Sequence, residues 1–348
     1  MPDLIPEELG PETEAAYRAF VEASPAADYC HDLGWRDVIR ETYGLRPRYF
    51  IDRDPAAGGG LRGVAPAFLL KGLTRSELVG LPFLDFGGPL GADAASTGRL
   101  VERLRKEAAV GSMPLELRSR LPLAGLPAPA NAKVCMILDI DGKDKDAYWK
   151  SLDAKVRNQV RKADKSEVTV QWGREERLDD FYSVFAVNMR DLGSPVHSRK
   201  LFASLLRHFP GAQIGTAHRQ GQCIGGLVRI LWKRTLAIPW ASTLKEHRVH
   251  SSNNALYWES IAFAFERKCA QVDFGRSSQG EGTYRFKQQW EAGESPLCWY
   301  QFDAAGKPLD HVEHVASGKL KLAAQMWAKL PLPVANLVGP LLRGKLSA

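Results

Sequence analysis

The feature that most constrains the fold is a segment that recurs in the two halves of the chain. In the first half, an apolar stretch predicted as a strand, Val79–Phe86, leads through a loop and a predicted helix to a strand that ends at Arg118. In the second half, a predicted strand around Pro239 leads through a loop and a predicted helix to a strand that ends at Arg276. The spacing from Pro82 to Arg118 is 36 positions, and the spacing from Pro239 to Arg276 is 37. Repetition of one supersecondary unit predicts two copies of the same α/β structure.

Length and local composition divide the chain in a way that agrees with this repeat. A chain of 348 residues is comfortable for two domains. Residues 121–133 are rich in proline and alanine, which is typical of a linker. We therefore predict an N-terminal domain over residues 1–130, a C-terminal domain over 131–303 that carries the functional site, and a basic amphipathic tail over 304–348. Cys298–Phe302 is predicted as the strand that closes the second domain.

Within each half, the predicted order of elements is strand, helix, hairpin, strand, helix, strand. This is the order of an N-acyltransferase fold of the GNAT type. The predicted fold class is therefore α/β (α+β), with two tandem GNAT-like domains. In the second domain, apolar residues at i, i+4 and i+8 predict a basic amphipathic helix over residues 145–165.

Composition and charge indicate the cellular compartment and the kinds of ligand that suit this chain. The chain is 45% hydrophobic and 25% charged, which supplies apolar material for two cores. Five scattered cysteines without a C-x-x-C spacing favour a reducing compartment over a disulfide framework. The acidic N-terminus does not have the character of a signal peptide, and no stretch reaches about 18 uninterrupted apolar residues. We expect a cytoplasmic protein whose net charge of +7 suits CoA, a nucleotide-sugar, tRNA or an anionic membrane face.

Chemistry is concentrated in residues 272–290. A short apolar strand ends at Gly275 and Arg276, a polar loop follows, and aromatic and cationic side chains then alternate. Glycine and small hydroxyl residues at a strand end bring backbone N–H groups close to an anion or a carbonyl. Neighbouring cations stabilise a phosphate or a developing negative charge. The competing interpretation is a surface turn with a solvated basic face.

Four segments of the second half resemble the FemAB-like GNAT proteins, and more narrowly the subgroup found with exosortase/PEP-CTERM and exopolysaccharide systems. These segments are residues 155–173, 181–210, 253–266 and 272–290, and the resemblance as a whole covers about residues 15–303. It implies two tandem GNAT-fold domains. Better-studied members of the family transfer an amino acid from aminoacyl-tRNA to the peptide amine of a cell-wall precursor, and other GNAT relatives use acyl-CoA. The Phe-Lys pair of the family matches Phe286-Lys287, and the resemblance implies that this lysine stabilises negative charge near the reacting carbonyl.

The chain departs from the family pattern at two places. Trp290-Glu291-Ala292 stands where Trp-Gly-Ala is usual. The acyl-CoA signature of simple GNAT enzymes, Gln/Arg-x-x-Gly-x-Gly/Ala before the long helix, is replaced by residues 247–255, HRVHSSNNA. The co-substrate is therefore expected to be either acyl-CoA or aminoacyl-tRNA, with no tightly bound cofactor. At the start of the predicted helix 253–268, Asn253 and Asn254 are the candidate residues for binding it.

An N-acyltransferase needs a deprotonated amine, a polarised carbonyl and a route for a proton. As catalytic residues we select Lys287 for the oxyanion, Tyr284 for protonating the leaving group, and Asp273 for orienting the amine or Arg276. The candidate substrate-binding residues are Arg276, Ser277, Arg285, Asn188, Arg190, His197 and Tyr257. Each has an ordinary structural explanation as well: a solvated cation, a packed aromatic ring or a buried ion pair. No metal site is expected, because the pair His311 and His314 lacks a third ligand nearby in sequence.

The sequence thus predicts an N-acyltransferase that moves an acyl or aminoacyl group to an amine on a cell-envelope or exopolysaccharide precursor. Transfer is expected to be direct, because no enzyme nucleophile stands out. Two alternatives remain open: a non-catalytic, degenerate transferase that binds a polysaccharide precursor or a partner, and a tRNA-binding protein. The C-terminal tail is expected to contact the inner membrane peripherally or to pack back on the domain.

Overall fold

A computed structural model describes residues 7–54, 59–73, 75–126, 133–309 and 318–346 of the chain. The chain separates into two compact units. The first comprises Met1–Ala132, Pro296–His314 and Gly344–Ala348, and the second comprises Lys133–Ser295 and Val315–Arg343.

The helices and strands of the described residues follow one another along the chain in this order. The α-helices are α1 (Glu14–Ala23), α2 (Gly34–Tyr43), α3 (Ala94–Val110), α4 (Lys145–Ser151), α5 (Ala154–Lys165), α6 (Leu178–Asp191), α7 (Arg199–His208), α8 (Ser252–Glu266), α9 (Gly282–Gln288), α10 (Gly318–Trp327) and α11 (Leu332–Arg343). Short 3-10 helices lie at Pro11–Thr13, Tyr29–His31, Glu175–Arg177 and Lys245–His250. The strands are β1 (Glu7–Glu8), β2 (Arg46–Pro47), β3 (Phe50–Asp54), β4 (Gly60–Ala65), β5 (Phe68–Lys71), β6 (Ser76–Val79), β7 (Leu90–Gly91), β8 (Leu115–Ser119), β9 (Lys133–Asp139), β10 (Thr169–Gly173), β11 (Ala212–Arg219), β12 (Gln222–Trp232), β13 (Thr235–Thr243), β14 (Gln271–Ser278), β15 (Gly293–Pro296) and β16 (Cys298–Phe302).

The second unit is built on one sheet in the order β10-β11-β12-β13-β14-β9-β15. Strands β10 to β13 form an antiparallel meander, β13 and β14 are parallel, and β14 pairs antiparallel with β9. A parallel pair requires a crossover connection, and here α8 provides it. Among the described residues, β13 and β14 are paired in register only over Thr235–Ala237 and Gln271–Asp273. The two strands therefore diverge toward their carboxyl ends.

The first unit contains the sheets β1-β3-β4-β7 and β16-β8-β6-β5-β2. Its strands β6 and β8 are also parallel, with Leu78 opposite Leu115 and Val79 opposite Glu116, and α3 connects them. Each unit therefore contains a parallel strand pair joined by a helix, as the recurring segment in the sequence indicated. The prediction of a mixed α/β fold is confirmed.

Two predicted elements have different limits in the structure. The first parallel strand ends at Val79, and residues 80–86 form turns and bends in which Phe83 has a φ of 72°. The prediction of a strand over Val79–Phe86 was wrong. The apolar side chains of this segment are buried, but a folded loop carries most of them. Likewise, the predicted helix 145–165 is two helices, α4 and α5, since the Asp153 carboxylate caps a new helix by accepting from the backbone N–H of Lys155.

The strand Cys298–Phe302 belongs to a different sheet from the one expected. As β16 it pairs antiparallel with β8 of the first unit, with Cys298 opposite Ser119 and Phe302 opposite Leu115. An apolar strand pattern shows that a segment is in a sheet but not which sheet it joins. The chain returns to the first unit after completing the sheet of the second, so the predicted limit at residue 303 does not coincide with this change of unit.

The departure from Trp-Gly-Ala at residues 290–292 has a measurable consequence. Glu291 adopts a φ of 61°, the left-handed region that is unfavourable for residues with a Cβ. The residue before Glu291 is fixed in place. The Trp290 side chain is fully buried, and its backbone oxygen accepts a 2.8 Å hydrogen bond from the Tyr148 hydroxyl. We expect Glu291→Gly to raise the free energy of unfolding by about 1 kcal/mol relative to Glu291→Ala. Urea denaturation of the two variants measures this difference.

The alanine variant is the matched control. Both variants remove the same carboxylate and its 3.1 Å hydrogen bond from the Ser151 hydroxyl, so only the Cβ distinguishes them. Equal stability of the glycine and alanine variants would show that residue 291 is not strained.

Candidate active site

The candidate site lies where β14 separates from β13. Just after the last paired residue, Asp273, the register of β14 against β9 shifts, and Gly275 has a φ of 72°. The carboxylate of Asp273 accepts a 2.8 Å hydrogen bond from the backbone N–H of Gly275. The Lys287 ammonium donates to the carbonyl oxygens of Gly275 (3.0 Å) and Arg276 (2.7 Å). Two charged side chains thus fix one irregular turn of the strand, and bulges of this kind are frequent next to active sites.

Both charged groups at this bulge are buried. Asp273 is 1% exposed and Lys287 is 8% exposed. Burial of a charge is costly unless hydrogen bonds compensate it, and both groups have them. The sequence selected Asp273 and Lys287 as catalytic residues fourteen positions apart, and the structure brings them to the same turn. The arrangement holds a positive charge beside the end of the parallel strand pair, where it can stabilise a developing negative charge.

Two tyrosines of the predicted site differ in environment. Tyr284 on α9 is half-buried, and its hydroxyl donates a 2.5 Å hydrogen bond to Glu294, which raises the pKa of the phenol. Tyr257 on α8 is 4% exposed and packs against the rings of Phe274 (5.4 Å) and Phe286 (4.9 Å). Burial raises the pKa of Tyr257. The raised pKa makes each phenol a weaker acid than an ordinary tyrosine, and both are protonated at neutral pH.

The other selected residues of β14 and α9 are spread between the interior and the surface. Arg276 is half-buried, and Arg285 is exposed. Ser277 is 4% exposed, and its hydroxyl finds no hydrogen-bond partner among the described residues. A buried hydroxyl normally has a partner, so Ser277 is unusual in this part of the chain.

The other end of the opening is the start of α8, which follows the last residue of β13, Thr243, after a short 3-10 helix. Ser252 is the first residue of α8, and its hydroxyl and that of Thr243 are buried without a partner in the described part of the chain. Both face Gly225 of β12, where an added Cβ would lie 3.2 Å from Ser252 Oγ and 3.4 Å from Thr243 Oγ1. The side-chain amide nitrogen of the buried Asn254 is also unpartnered among the described residues, whereas Asn253 is half-buried. The helix start therefore contains buried polar atoms whose hydrogen-bonding capacity is not used within the described part of the chain.

The segment before this helix start contacts α5, because the Ser251 hydroxyl donates to Gln159, and Lys162 lies about one turn further along α5. His250 precedes the helix start, and desolvation, with the positive charges of Arg219, His247 and Lys162, lowers the pKa of His250. The rings of His247 and His250 are 5.9 Å apart. The first N–H groups of a helix carry a partial positive charge and bind anions, and the cations near His250 add to this effect. Arg219 and Lys162 were not among the predicted site residues, because they lie far from residue 252 along the chain. Thr243 and Ser252 were not predicted either, because small hydroxyl residues occur at many other positions.

The residues selected on α6 and after it have intramolecular partners. Asn188 donates a 3.1 Å hydrogen bond to Ser242 of β13, which places it beside the diverging strand. Arg190 donates to Asp191 at 2.7 and 2.9 Å. His197 is 2% exposed, and its ring accepts a 3.2 Å hydrogen bond from Arg343 of α11. Burial, aided by the charge of Arg343, holds the pKa of His197 well below its usual value, so the ring is neutral.

Neither a metal centre nor a membrane-spanning helix is found among the described residues. His311 and His314 lie outside the described residues. Within the described residues, no group of three or more His, Cys, Asp or Glu side chains could hold a metal ion. The described helices include none with the length and apolar character needed to cross a membrane.

Comparison with known proteins identifies the domain that contains this site. Residues 150–288 match the family described as "Acetyltransferase (GNAT) domain". This match spans α5, the diverging strands, α8 and Lys287. A sequence comparison with curated proteins finds no match.

Three solved structures show the same fold at low sequence identity. The crystal structure of FemX covers 93% of this chain and 100% of its own, with a TM-score of 0.64 and 13% identity. A tandem GNAT protein from the clavulanic acid biosynthesis pathway covers 86% of this chain and 98% of its own, with a TM-score of 0.54 and 12% identity. The structure of L-PGS from Bacillus licheniformis covers 93% of this chain and 99% of its own, with a TM-score of 0.53 and 12% identity. The prediction of a tandem GNAT-type fold is confirmed, and the chain has this fold with a GNAT acetyltransferase domain at residues 150–288.

Proposed function

We propose that this chain is an N-acyltransferase of the FemAB-like GNAT type that transfers an acyl or aminoacyl group to an amine on a cell-envelope or exopolysaccharide precursor. The observation that carries the proposal is the opening between β13 and β14. Beyond their three paired residues, the cationic start of α8 follows one strand, and the buried ammonium of Lys287 is held on the other. An anionic donor and a reacting carbonyl need these two kinds of group.

The chemistry assigned to the residues is direct transfer. The acceptor nitrogen forms a bond to the donor carbonyl carbon, and the positive charge of Lys287 stabilises the negative oxygen that results. The carbon–sulfur or carbon–oxygen bond to the leaving group then breaks, and the nitrogen gives its proton to water, which in turn reprotonates the tyrosine that has supplied a proton to the leaving atom. Tyr284, or the more deeply buried Tyr257, supplies a proton to the leaving atom. Asp273 orients the amine or Arg276, and Ser277 and Asn188 contribute to the acceptor side.

The donor is proposed to be acyl-CoA or aminoacyl-tRNA. Both bring phosphate groups, which suit the start of α8 with Asn253 and Asn254. Next to this helix start, α5 buries Val156, Val160 and Ala163 and exposes its cations to solvent. The exposed cations of α5 are Lys155, Arg161, Lys162 and Lys165. We place the reaction in the cytoplasm, at the inner membrane where envelope precursors are assembled, and assign the chain to the exosortase/PEP-CTERM subgroup on the sequence segments described above.

Binding of the two donors tests this proposal. The purified chain is titrated with CoA by calorimetry and with bulk tRNA by filter binding at about 50 and about 200 mM salt. For an acyl-CoA donor, CoA binds saturably, and the double variant Lys162→Ala/Arg219→Ala weakens binding roughly tenfold. For a tRNA donor, tRNA binds with a steep salt dependence and CoA does not compete.

A matched control is Lys150→Ala, which removes an exposed cation from α4 of the same unit. CoA or tRNA binding by this variant should equal that of the unchanged chain. If the chain binds neither CoA nor tRNA, the enzyme proposal is contradicted.

One observation favours a second candidate, a non-catalytic relative that binds a polysaccharide precursor or a partner. The Lys287 ammonium donates to two carbonyl groups of its own chain, which is also what a purely structural lysine would do. The two candidates differ in turnover, because only the enzyme forms an amide product that depends on Lys287.

A further inference from the structure

The two C-terminal helices expose more large apolar side chains than any comparable stretch of the described chain. Eleven large hydrophobic residues are exposed among the described residues, and five of them lie within positions 322–341. These are Leu322 (58%), Met326 (64%), Val334 (43%), Leu337 (73%) and Leu341 (68%). Scattered single apolar residues on a surface are ordinary, but a concentration of them marks an interaction site.

The orientation of α11 is fixed by close packing on its other side. Ala335 and Gly339 are buried. A Cβ on Gly339 would lie 3.0 Å from Val196 and 3.5 Å from the ring of Trp327 of α10, so this side of the helix is pressed against its neighbours. Val334, Leu337 and Leu341 follow at i, i+3 and i+7 and form the outward stripe. The outward face of α11 is therefore apolar, the reverse of what a solvent-exposed helix carries.

A sixth exposed residue adjoins α10. Gly193 approaches Ala324 so closely that a Cβ on it would lie 2.5 Å from the Ala324 carbonyl oxygen. The residue before it, Leu192, is 61% exposed. The apolar surface therefore includes the end of α6 as well as α10 and α11, and we call these six side chains the apolar face.

Charge decides what this apolar face fits. Residues 318–343 of the second unit contain Lys319, Lys321, Lys329 and Arg343 but neither aspartate nor glutamate. The exposed Lys329 lies between the two helices, and Asp191, which precedes Leu192, is paired with Arg190. A cationic segment that presents apolar side chains matches an anionic lipid bilayer, into whose boundary the apolar side chains insert while the cations meet the head groups. Neither α10, with 10 residues, nor α11, with 12, is long enough to cross a bilayer. The helices would therefore lie on its surface.

We propose that the apolar face formed by α6, α10 and α11 docks this protein on the surface of a membrane rich in anionic lipid. This inference goes beyond acyl transfer and does not depend on it. It specifies which side chains enter the lipid and requires no change in the fold, since the stripe is already turned outward.

Vesicle sedimentation tests the proposal with the full chain and no acyl donor present. The probes are phosphatidylcholine vesicles with and without a large fraction of phosphatidylglycerol. We expect binding to the phosphatidylglycerol vesicles, at least tenfold weaker binding by Leu337→Glu/Leu341→Glu, and weaker binding at high salt. Val110→Glu is the matched control, because Val110 on α3 is 87% exposed and outside the apolar face.

Each other outcome has a defined meaning. Absence of binding to phosphatidylglycerol vesicles, or equal binding by the double variant, overturns the proposal. Light scattering is measured on the same samples, since a second copy of the chain is the competing occupant. A dimer that Leu337→Glu/Leu341→Glu dissociates, without vesicle binding, would assign the face to self-association and also overturn it. Because no acyl donor is present, a failure to bind vesicles does not bear on the proposed acyltransferase activity.

Discussion

Replacing Lys287 by alanine is expected to lower the rate of amide formation by about 10²–10³-fold, the usual cost of removing one oxyanion-stabilising donor. The physical reason is that the Lys287 ammonium is 8% exposed and fixed by two carbonyl groups at the bulge of β14. A charge held in a site with little water acts more strongly than one on the surface. Product formation is followed by mass spectrometry, with the donor identified by titration and glucosamine as a probe amine.

Lys287→Ala could lower the rate through lost catalysis or through a disturbed fold, and two further measurements distinguish these causes. Donor binding and thermal unfolding are measured on the same variant, because Lys287 also holds the carbonyls of Gly275 and Arg276. A fall in kcat with unchanged donor affinity indicates loss of transition-state stabilisation. Lys287→Met, which keeps the aliphatic stem, guards against loss of packing, and Lys150→Ala controls for loss of a positive charge as such. Amide formation at the original rate in Lys287→Ala would rule out a catalytic role for this residue.

Replacing Glu116 by alanine is expected to lower the free energy of unfolding of the first unit by about 3–5 kcal/mol. Arg118, which is 1% exposed, donates to the Glu116 carboxylate at 2.7 Å and to the carbonyl oxygen of Leu84 at 2.6 Å. Its guanidinium lies 4.5 Å from the ring of Trp299 of β16. Removing the carboxylate takes a buried ion-pair partner at 2.5 Å away from this guanidinium. The measurement is urea denaturation followed by tryptophan fluorescence.

A double variant tests the reason for this effect. Replacing both partners by apolar residues, Glu116→Leu/Arg118→Met, should restore much of the stability lost in Glu116→Ala, because no buried charge remains unpaired. Arg40→Ala is a control, since the exposed Arg40 pairs with Asp37 on α2 of the same unit and surface pairs contribute at most about 1 kcal/mol. A stability change below about 0.5 kcal/mol in Glu116→Ala would show that the pair is not needed.

The recurring segment of the sequence leads to different environments in the two units. Arg118 and Arg276 occupy comparable positions at the ends of β8 and β14, and the sequence presents them alike. In the first unit, Arg118 is buried, forms an ion pair with Glu116 and contacts the ring of Trp299. In the second, Arg276 is half-buried beside a bulge that Lys287 holds. Residues that are distant along the chain produce this difference, and the placement of the site in the second half stays a prediction.

The amino-acid sequence by itself determined the elements that rest on local periodicity and spacing. These include the amphipathic face of α5 and the recurrence of a parallel strand pair joined by a helix. Apolar periodicity and short-range spacing are written along the chain, so one sequence suffices to read them. Only the tertiary structure decided that Cys298–Phe302 joins the sheet of the first unit, that Arg219 and Lys162 lie near the start of α8, and that the stripe of α11 faces outward. Which sheet a strand joins, and which side of a helix is covered, depend on contacts between residues far apart in sequence, and no local pattern records those contacts.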